Sequence, residues 1–373
     1  MIRTEAPARF ITPEPVSAML QQLVNIAHNT FTESIRQPIF VVLVLLGALA
    51  MVLNPQLAAY TMEDDNKLLI DLGMSTIFLV SLLLAAFTAT GVFSNEIENK
   101  TVLTVISKPV SRPVFVIGKY LGIAAAIAVA FFLLSIVMSL TIRHRVMSTA
   151  SDHFDMPVIL FGVGGALVAL IFATCANYLY NKVFTSTLTV CLLITQAVAF
   201  ALVLVIDKRW ALQSPLTEFI VHEGELTQVM IGLGLLFQAV LVLTGVAVAA
   251  STRLGQVMTL LICFGVFLLG LASNSLSQMV NSRLSIPVDT GYYQSLSAIM
   301  HADLAIYQKL VYVSAKFIYM LAPNLQFFWT ADAITQDNPI SAGLFGLVSG
   351  YAALQIVAIL ALAVTLFQNR EVG

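Results

Sequence analysis

Long apolar runs alternate with short polar segments along most of the chain. A helix that crosses a bilayer needs about 20 consecutive, mostly apolar residues. Eight runs satisfy this requirement and none carries a charged residue in its middle: 39–59, 72–93, 114–142, 158–180, 184–206, 229–250, 256–273 and 341–367. The pattern predicts an all-α, polytopic membrane protein with about eight transmembrane helices.

The polar pieces around these runs have patterns of their own. Residues 16–37 place apolar side chains along one stripe of a helix, which predicts an N-terminal helix lying in the membrane interface. Residues 274–340 form the largest piece outside the runs, and 292–321 within it is amphipathic. We expect this segment at or in the outer interface rather than across the membrane. The whole chain, 1–373, is interpreted as a single transmembrane domain.

The composition excludes whole classes of protein. Hydrophobic residues make up 59% of the 373 residues and charged residues 10%, with mean hydropathy +0.92. Soluble domains carry about 25% charged residues, so a soluble enzyme is excluded. The net charge of −2 gives no support to a nucleic-acid partner. The charged residues before position 15 also differ from a cleavable signal peptide.

The loop charges predict an orientation. Eight spans place both termini on the same side of the membrane. Basic residues divide weakly in favour of cytoplasmic termini, and acidic residues lie more sharply on the opposite side. We therefore predict that both termini are cytoplasmic and that residues 276–340 face the exterior.

The chain lacks the motifs of nucleotide hydrolysis, zinc proteolysis and serine hydrolysis, because its sequence has no G-x-x-x-x-G-K-[ST], H-E-x-x-H or G-x-S-x-G. All three cysteines fall inside apolar runs and are interpreted as buried apolar residues. His144, Asp152, His153 and Asp155 cluster in one loop, where a solvated polar segment is a better interpretation than a metal site. We expect no metal, no cofactor and no enzymatic activity.

Polar residues in the middle of the spans are all neutral. Ion-coupled carriers need a titratable group at this depth, so any transport must draw its energy from elsewhere. The pairs Gly118/Gly122 and Gly346/Gly350 have G-x-x-x-G spacing, which predicts close helix packing, with a dimer face as the alternative.

The most distinctive polar stretch, 94–113, separates the second and third spans. Ser94 can cap a short helix in which Glu96 and Lys100 stand four residues apart in the favourable order. Pro109 and Pro113 then end that helix. This pattern indicates either a plain membrane-surface loop or a docking site for a soluble partner.

Residues 96–119 read E-x-E-x-x-T-x-x-x-x-x-S-K-P-V-S-R-x-x-F-x-x-G-K. This stretch resembles the cytoplasmic loop of type-2 ABC exporter permeases, the integral membrane subunits of ATP-binding-cassette transporters. Residues 29–38, 323–332 and 369–373 are similar to the N-terminal helix, the exterior segment and the C-terminal end of that family. Its members usually have six spans, and the hairpin 158–206 is a candidate for the surplus pair.

The resemblance implies partners and a location. It implies a separate ABC ATPase subunit, a homodimer or heterodimer of permease subunits, contact with membrane lipid, and the cytoplasmic membrane of a prokaryote. The residues that it assigns to coupling with the ATPase are Glu96, Glu98, Lys100, Lys108, Pro109, Arg112 and Lys119, and Glu33 and Arg36 are docking candidates on the N-terminal helix.

Two hypotheses from different classes follow. The leading one is the permease subunit of an ATP-driven exporter, and the alternative is a membrane scaffold or assembly factor without transport activity. A membrane-embedded enzyme ranks third, because the sequence contains no catalytic constellation. The sequence does not identify a substrate, and lipid, glycan, peptide and drug all stay open.

Overall fold

The computed structural model describes residues 16–59, 65–98, 111–146, 154–215, 225–283, 292–301, 305–336 and 338–368. Within these residues the secondary structure is helical apart from one isolated β-bridge. Eight of the helices are long and apolar enough to cross a bilayer. The prediction of an all-α membrane protein with eight spans is confirmed.

The structure contains twelve α-helices and one 3-10 turn among the described residues. In chain order they are α1 (Val16–Arg36), α2 (Pro38–Ala58), α3 (Asp65–Glu98), α4 (Arg112–His144), α5 (Met156–Tyr180), α6 (Phe184–Val205), α7 (Glu225–Ser251), α8 (Gln256–Arg283), α9 (Tyr292–His301), α10 (Ile306–Leu321), a 3-10 turn (Leu325–Phe328), α11 (Ala331–Thr335) and α12 (Ala342–Gln368). The eight candidate spans are α2 to α8 and α12.

Local sequence signals set several helix ends. Gln37 is extended, as the residue before a proline usually is, and Pro38 then starts α2. The Asp155 carboxylate accepts a hydrogen bond from the Val158 N–H and caps α5. Asn181 adopts the left-handed conformation (φ 52°) that ends α5 and turns the chain into α6.

Two helices run further than the sequence pattern predicts. Helix α3 continues through Glu98, so the prediction that Ser94 caps a separate short helix is wrong. No proline or glycine interrupts 92–98, so nothing in the sequence stops the helix there. Helix α8 continues through Arg283, ten residues past the predicted apolar run, because polar residues in its last turns pack against α10.

Helices α3, α4 and α7 form the centre of the bundle. The most apolar stretch of α4 is 67% buried, whereas those of α5 and α12 are 17% buried. Helices α5 and α6 pack mainly against each other as a hairpin at the rim. Aromatic contacts such as Phe131 with Phe237, at 5.0 Å between ring centroids, join the central helices.

Polar contacts between helix ends show which of them lie at the same end of the bundle. At one end, Thr185 Oγ1 at the start of α6 donates to the Arg36 carbonyl (2.9 Å), and Arg253 Nε donates to the Leu366 carbonyl (2.9 Å). We call this the α1 end. At the opposite end, Gln228 Oε1 accepts from the Ile340 N–H (2.9 Å). The last turn of α1 and the last turn of α12 therefore lie at the same end of the bundle.

The segment between α8 and α12 contains short helices. Helix α10 has 16 residues and extends about 24 Å, less than the roughly 30 Å of a hydrocarbon core. Neither α9 nor α10 is among the candidate spans in the described part of the chain. Their place at the outer interface stays a prediction.

Candidate functional site

Helix α1 lies directly on the first turns of α4. A Cβ atom at Gly122 would stand 2.5 Å from the Ala27 carbonyl oxygen and 2.5 Å from Thr30 Cβ. One at Gly118 would stand 2.8 Å from Ile26 Cγ2. The G-x-x-x-G pair of α4 therefore packs a helix of the same chain. The second pair differs, because Gly346 and Gly350 on α12 have open space where a Cβ would be.

Charged side chains join the same two helices. Lys119 Nζ of α4 lies 4.0 Å from Glu33 Oε2 of α1 and 5.7 Å from the centre of the Phe115 ring. Lys119 is only 4% exposed, and a buried ammonium group is costly unless a counter-charge accompanies it. Glu33 supplies that charge from the half-buried side of α1. Two candidates from separate parts of the sequence thus form one ion pair.

An open groove of about 550 Å³ runs along the last turns of α1. Its rim carries both signs of charge, from Glu33 and from the exposed Arg36. The other lining residues are polar or small: His28, Asn29, Thr32, Gln37 and Pro38. Such a surface has the mixed polarity and solvent access of a protein docking site rather than of an enclosed ligand pocket.

The groove adjoins the α1-end turns of α3. A Cβ at Gly91 of α3 would stand 2.9 Å from Gln37 Nε2, so α3 touches the junction between α1 and α2 at this point. Helix α3 continues for seven residues past Gly91 to Glu98, about 10 Å along its axis. Glu96 and Glu98 therefore lie in the last turn of α3, five and seven residues beyond Gly91. Lys100, Lys108 and Pro109 lie outside the described residues.

The start of α4 also contacts the end of α12. Arg112 Nη1 donates a hydrogen bond to the Gln368 carbonyl, and the Phe115 and Phe367 rings stack at 5.4 Å. Together with Arg253, Arg112 places a cation on the carbonyls that end α12, where the helix dipole favours positive charge. These contacts connect the last span to the candidate site.

The structure thus gathers Glu33, Arg36, Arg112 and Lys119 at the α1 end. Sequence reasoning missed Gln37, Gly91 and Thr185, which place α1 against α3 and α6. These residues are neutral and of common types, so nothing in the sequence marks them as contacts between helices that are far apart in the chain. Arg253 could have been noticed, since it is a cation in a short loop between two spans.

The polar loop after α4 contains an ion pair. Arg143 Nη1 lies 3.8 Å from Asp155 Oδ2, and Asp155 also caps α5. Among the described residues no group of His, Cys, Asp or Glu side chains is arranged to hold a metal ion. Asp152 and His153, from the predicted cluster, lie outside the described residues.

The sequence was compared with models of known protein families to test its resemblance to ABC permeases. Residues 24–179 match the family model described as ABC-2 family transporter protein. The match runs from the middle of α1 to the last turn of α5 and includes every candidate site residue. The resemblance is thereby confirmed for residues 24–179, which are similar to ABC-2 family transporter proteins. No curated protein matches the chain.

Proposed function

We propose that the chain is the permease subunit of an ATP-driven exporter in the cytoplasmic membrane of a prokaryote. In this proposal a separate ABC ATPase subunit hydrolyses ATP, and two permease subunits form a homodimer or heterodimer. The single observation that carries the proposal is the ABC-2 transporter match over residues 24–179, which contains every site residue predicted from the sequence.

The site geometry supports docking of a soluble subunit at the α1 end. The groove along α1 is open and carries charges of both signs, and α3, which contacts Gln37 beside the groove, ends with the turn that holds Glu96 and Glu98. In this proposal the α1 end faces the cytoplasm, which places the ends of α1 and α12 on that side. The orientation accords with the distribution of charges in the loops.

Continuous helices can carry a movement from the site into the membrane. Helix α3 is one helix of 34 residues, about 50 Å long, and its α1-end turn holds Glu96 and Glu98. Helix α1 is fixed to α4 by the close packing at Gly122 and by the Glu33–Lys119 pair. A partner that displaces α1 and the end of α3 would therefore move the two central helices α3 and α4 together.

The proposed roles of the candidate residues differ with their burial. The buried Lys119 links α1 to α4, and Arg112 links α4 to α12, so both act inside the permease. Arg36 is exposed and is proposed to contact the ATPase directly. Glu96, Glu98, Lys100, Lys108 and Pro109 are proposed to form the remainder of the contact surface.

Charge reversal tests this proposal. Changing Glu96 and Glu98 together to Lys should weaken recovery of the ATPase subunit with the permease and uncouple ATP hydrolysis from transport. One exposed ion pair is worth only about 0.2–1 kcal/mol, and the double reversal adds repulsion to the lost attraction. The measurements are pull-down of the partner and ATPase activity in membranes.

The matched control is Glu218→Lys with Glu223→Lys, the same charge change in the loop proposed to be exterior. Its partner recovery should equal that of the wild type. If Arg36→Glu abolishes assembly while the Glu96/Glu98 reversal does not, docking resides on α1 alone. If neither the Glu96/Glu98 reversal nor Arg36→Glu alters the ATPase activity of the membranes, and no ATPase co-purifies with the wild type, the exporter proposal fails and the scaffold alternative replaces it.

A further inference from the structure

The chain folds into a tight hairpin immediately after α6, at the end opposite α1. Residues 206–213 reverse direction through the bridge between Ile206 and Leu212. The Asp207 N–H donates to the Ala211 carbonyl (2.9 Å), and the Gln213 N–H donates to the Val205 carbonyl (2.8 Å). Three residues, 208–210, form the tip, and these backbone hydrogen bonds fix its course.

The conformation of Trp210 is unusual. Its φ is 61°, in the left-handed region. Hairpins of this length usually place glycine at that position, and a bulky side chain there is strained. A strained backbone at a particular residue is a reason to look for a function. Trp210 is 53% exposed, and its ring makes an edge contact with Phe161 of α5 at 6.1 Å.

The hairpin carries three consecutive charged residues, Asp207, Lys208 and Arg209. Asp207 Oδ1 faces the bundle, 3.5 Å from Arg143 Nη2. Lys208 and Arg209 at the tip form no ion pair with any described residue. Arg209 is exposed and Lys208 is half-buried, so the tip carries two cations, while the carboxylate of Asp207 is held by a cation of α4.

The surroundings place this hairpin at a membrane boundary. Helix α6 has 22 residues, about 33 Å, which spans a hydrocarbon core from the α1 end to the hairpin. Leu160 is 58% exposed and Val163 is 50% exposed, and they flank Phe161 on α5, a helix with little protein cover. Leu212 is 84% exposed beside the tip. Tryptophan is the residue most typical of this depth, with its ring at the level of the headgroups.

We propose that hairpin 206–213 binds the headgroup phosphate of an anionic phospholipid in the leaflet at the end opposite α1. Lys208 and Arg209 contact the phosphate, and Trp210 and Leu212 contact the glycerol and upper acyl region. The lipid surface is the favoured partner because the cations, the tryptophan and the apolar side chain meet at a span end that faces lipid. The proposal does not depend on ATP-driven transport.

The fluorescence of a single tryptophan tests this site in lipid. The chain has two tryptophans, and Trp329→Phe leaves Trp210 as the only one. The variant is reconstituted in vesicles with bromine-labelled phosphatidylglycerol or phosphatidylcholine at equal mole fraction. We expect shallow bromines to quench Trp210 more than deep ones, and labelled phosphatidylglycerol to quench more than labelled phosphatidylcholine.

Removal of the cations tests the phosphate contact. In Lys208→Gln with Arg209→Gln, the preference for phosphatidylglycerol should fall about fivefold per cation removed, the size typical for Lys or Arg near an anionic surface. Lys182→Gln is the matched control, because Lys182 is an exposed cation in the loop at the α1 end. It should leave the preference unchanged.

Three results would overturn the proposal. Equal quenching by both lipids, unaltered in the glutamine variant, would show that no anionic headgroup is recognised. Quenching by aqueous iodide with none by brominated lipid would place the hairpin in water. Protection of Trp210 from both iodide and brominated lipid would place the hairpin in a protein interface. If Trp329→Phe does not fold, the difference between wild type and Trp210→Phe gives the same signal.

Discussion

At the contact between α1 and α4, the glycines Gly118 and Gly122 of α4 allow α1 to approach closely. The ion pair between Glu33 and Lys119 joins a buried ammonium to a carboxylate that is 32% exposed, and it gives little net stabilisation because the cost of burying the ammonium offsets the attraction. Packing of Ile26, Ala27 and Thr30 over the glycine surface of α4 removes a continuous area from water. The close approach at Gly122 therefore matters more for the position of α1 than the charges do.

Enlarging Gly122 should displace α1. A methyl group there meets a backbone carbonyl oxygen, which cannot move aside like the end of a flexible side chain. We expect Gly122→Ala to lower the free energy of unfolding by about 1–3 kcal/mol, the usual cost of overpacking. Thermal unfolding in detergent measures this change.

Gly164 on α5 is the control, because it has nothing within 4 Å of a built Cβ. Gly164→Ala should be neutral or should stabilise the helix by up to about 1 kcal/mol. Equal destabilisation by the two variants would mean that the contact between α1 and α4 does not fix α1.

At this scale the sequence identified candidate residues but could not pair them. Glu33 and Lys119 were both selected, yet their contact depends on α1 folding back over the start of α4. Likewise, G-x-x-x-G spacing occurs on α4 and on α12 with no difference in pattern. One pair packs a helix of the same chain and the other is open, which only the tertiary structure distinguishes.

At the scale of elements, hydropathy located all eight spans, because a bilayer requires long apolar runs. It was less informative about helix ends, since a helix can continue where polar side chains find partners. Helix α8 is an example, because its polar last turns face α10. Lys316 Nζ donates to Ser277 Oγ (2.9 Å) and to Asn281 Oδ1 (2.8 Å) across that contact.

The contact between α8 and α10 should depend on pH. Burial lowers the pKa of Lys316 below its usual value of 10.5, so the folded protein loses this proton at lower pH than the unfolded chain. Between those two pKa values the unfolded state binds more protons, and the free energy of unfolding therefore rises with pH. A single proton contributes at most about 1.4 kcal/mol per pH unit.

Thermal unfolding of wild type and Lys316→Met across alkaline pH measures this effect. The difference in the free energy of unfolding between the two proteins should change with pH, because methionine removes the titrating group while keeping a side chain of similar length. Lys309→Met on the same helix is the control, since Lys309 Nζ donates to the Met300 carbonyl and its side chain is less buried than that of Lys316. Parallel pH profiles for wild type and Lys316→Met would refute the prediction.

At the scale of the whole molecule, central and peripheral helices differ in what they contact. Helices α3, α4 and α7 contact one another, whereas the α5–α6 hairpin contacts the bundle mainly through α6. The peripheral position supports the hypothesis that 158–206 is the pair beyond six spans. The family match, however, continues to residue 179 and so includes α5. The sequence could not separate these possibilities, because peripheral and central spans have similar hydropathy.

The orientation of the whole bundle is the last prediction, and its test uses introduced cysteines. Contacts among the helix ends place Lys182 at the α1 end and Ser214 at the opposite end. With both termini cytoplasmic, a cysteine at Ser214 or Ser285 should react with an impermeant thiol reagent in intact cells. A cysteine at Lys182 or Thr101 should react only after the membrane is opened, because the lipid barrier excludes the reagent. The three natural cysteines are first replaced by alanine, and that unlabelled background is the control. The reverse labelling pattern would place the groove of α1 outside the cell, beyond the reach of a cytoplasmic ATPase. It would then refute both the orientation and the docking proposal that depends on it.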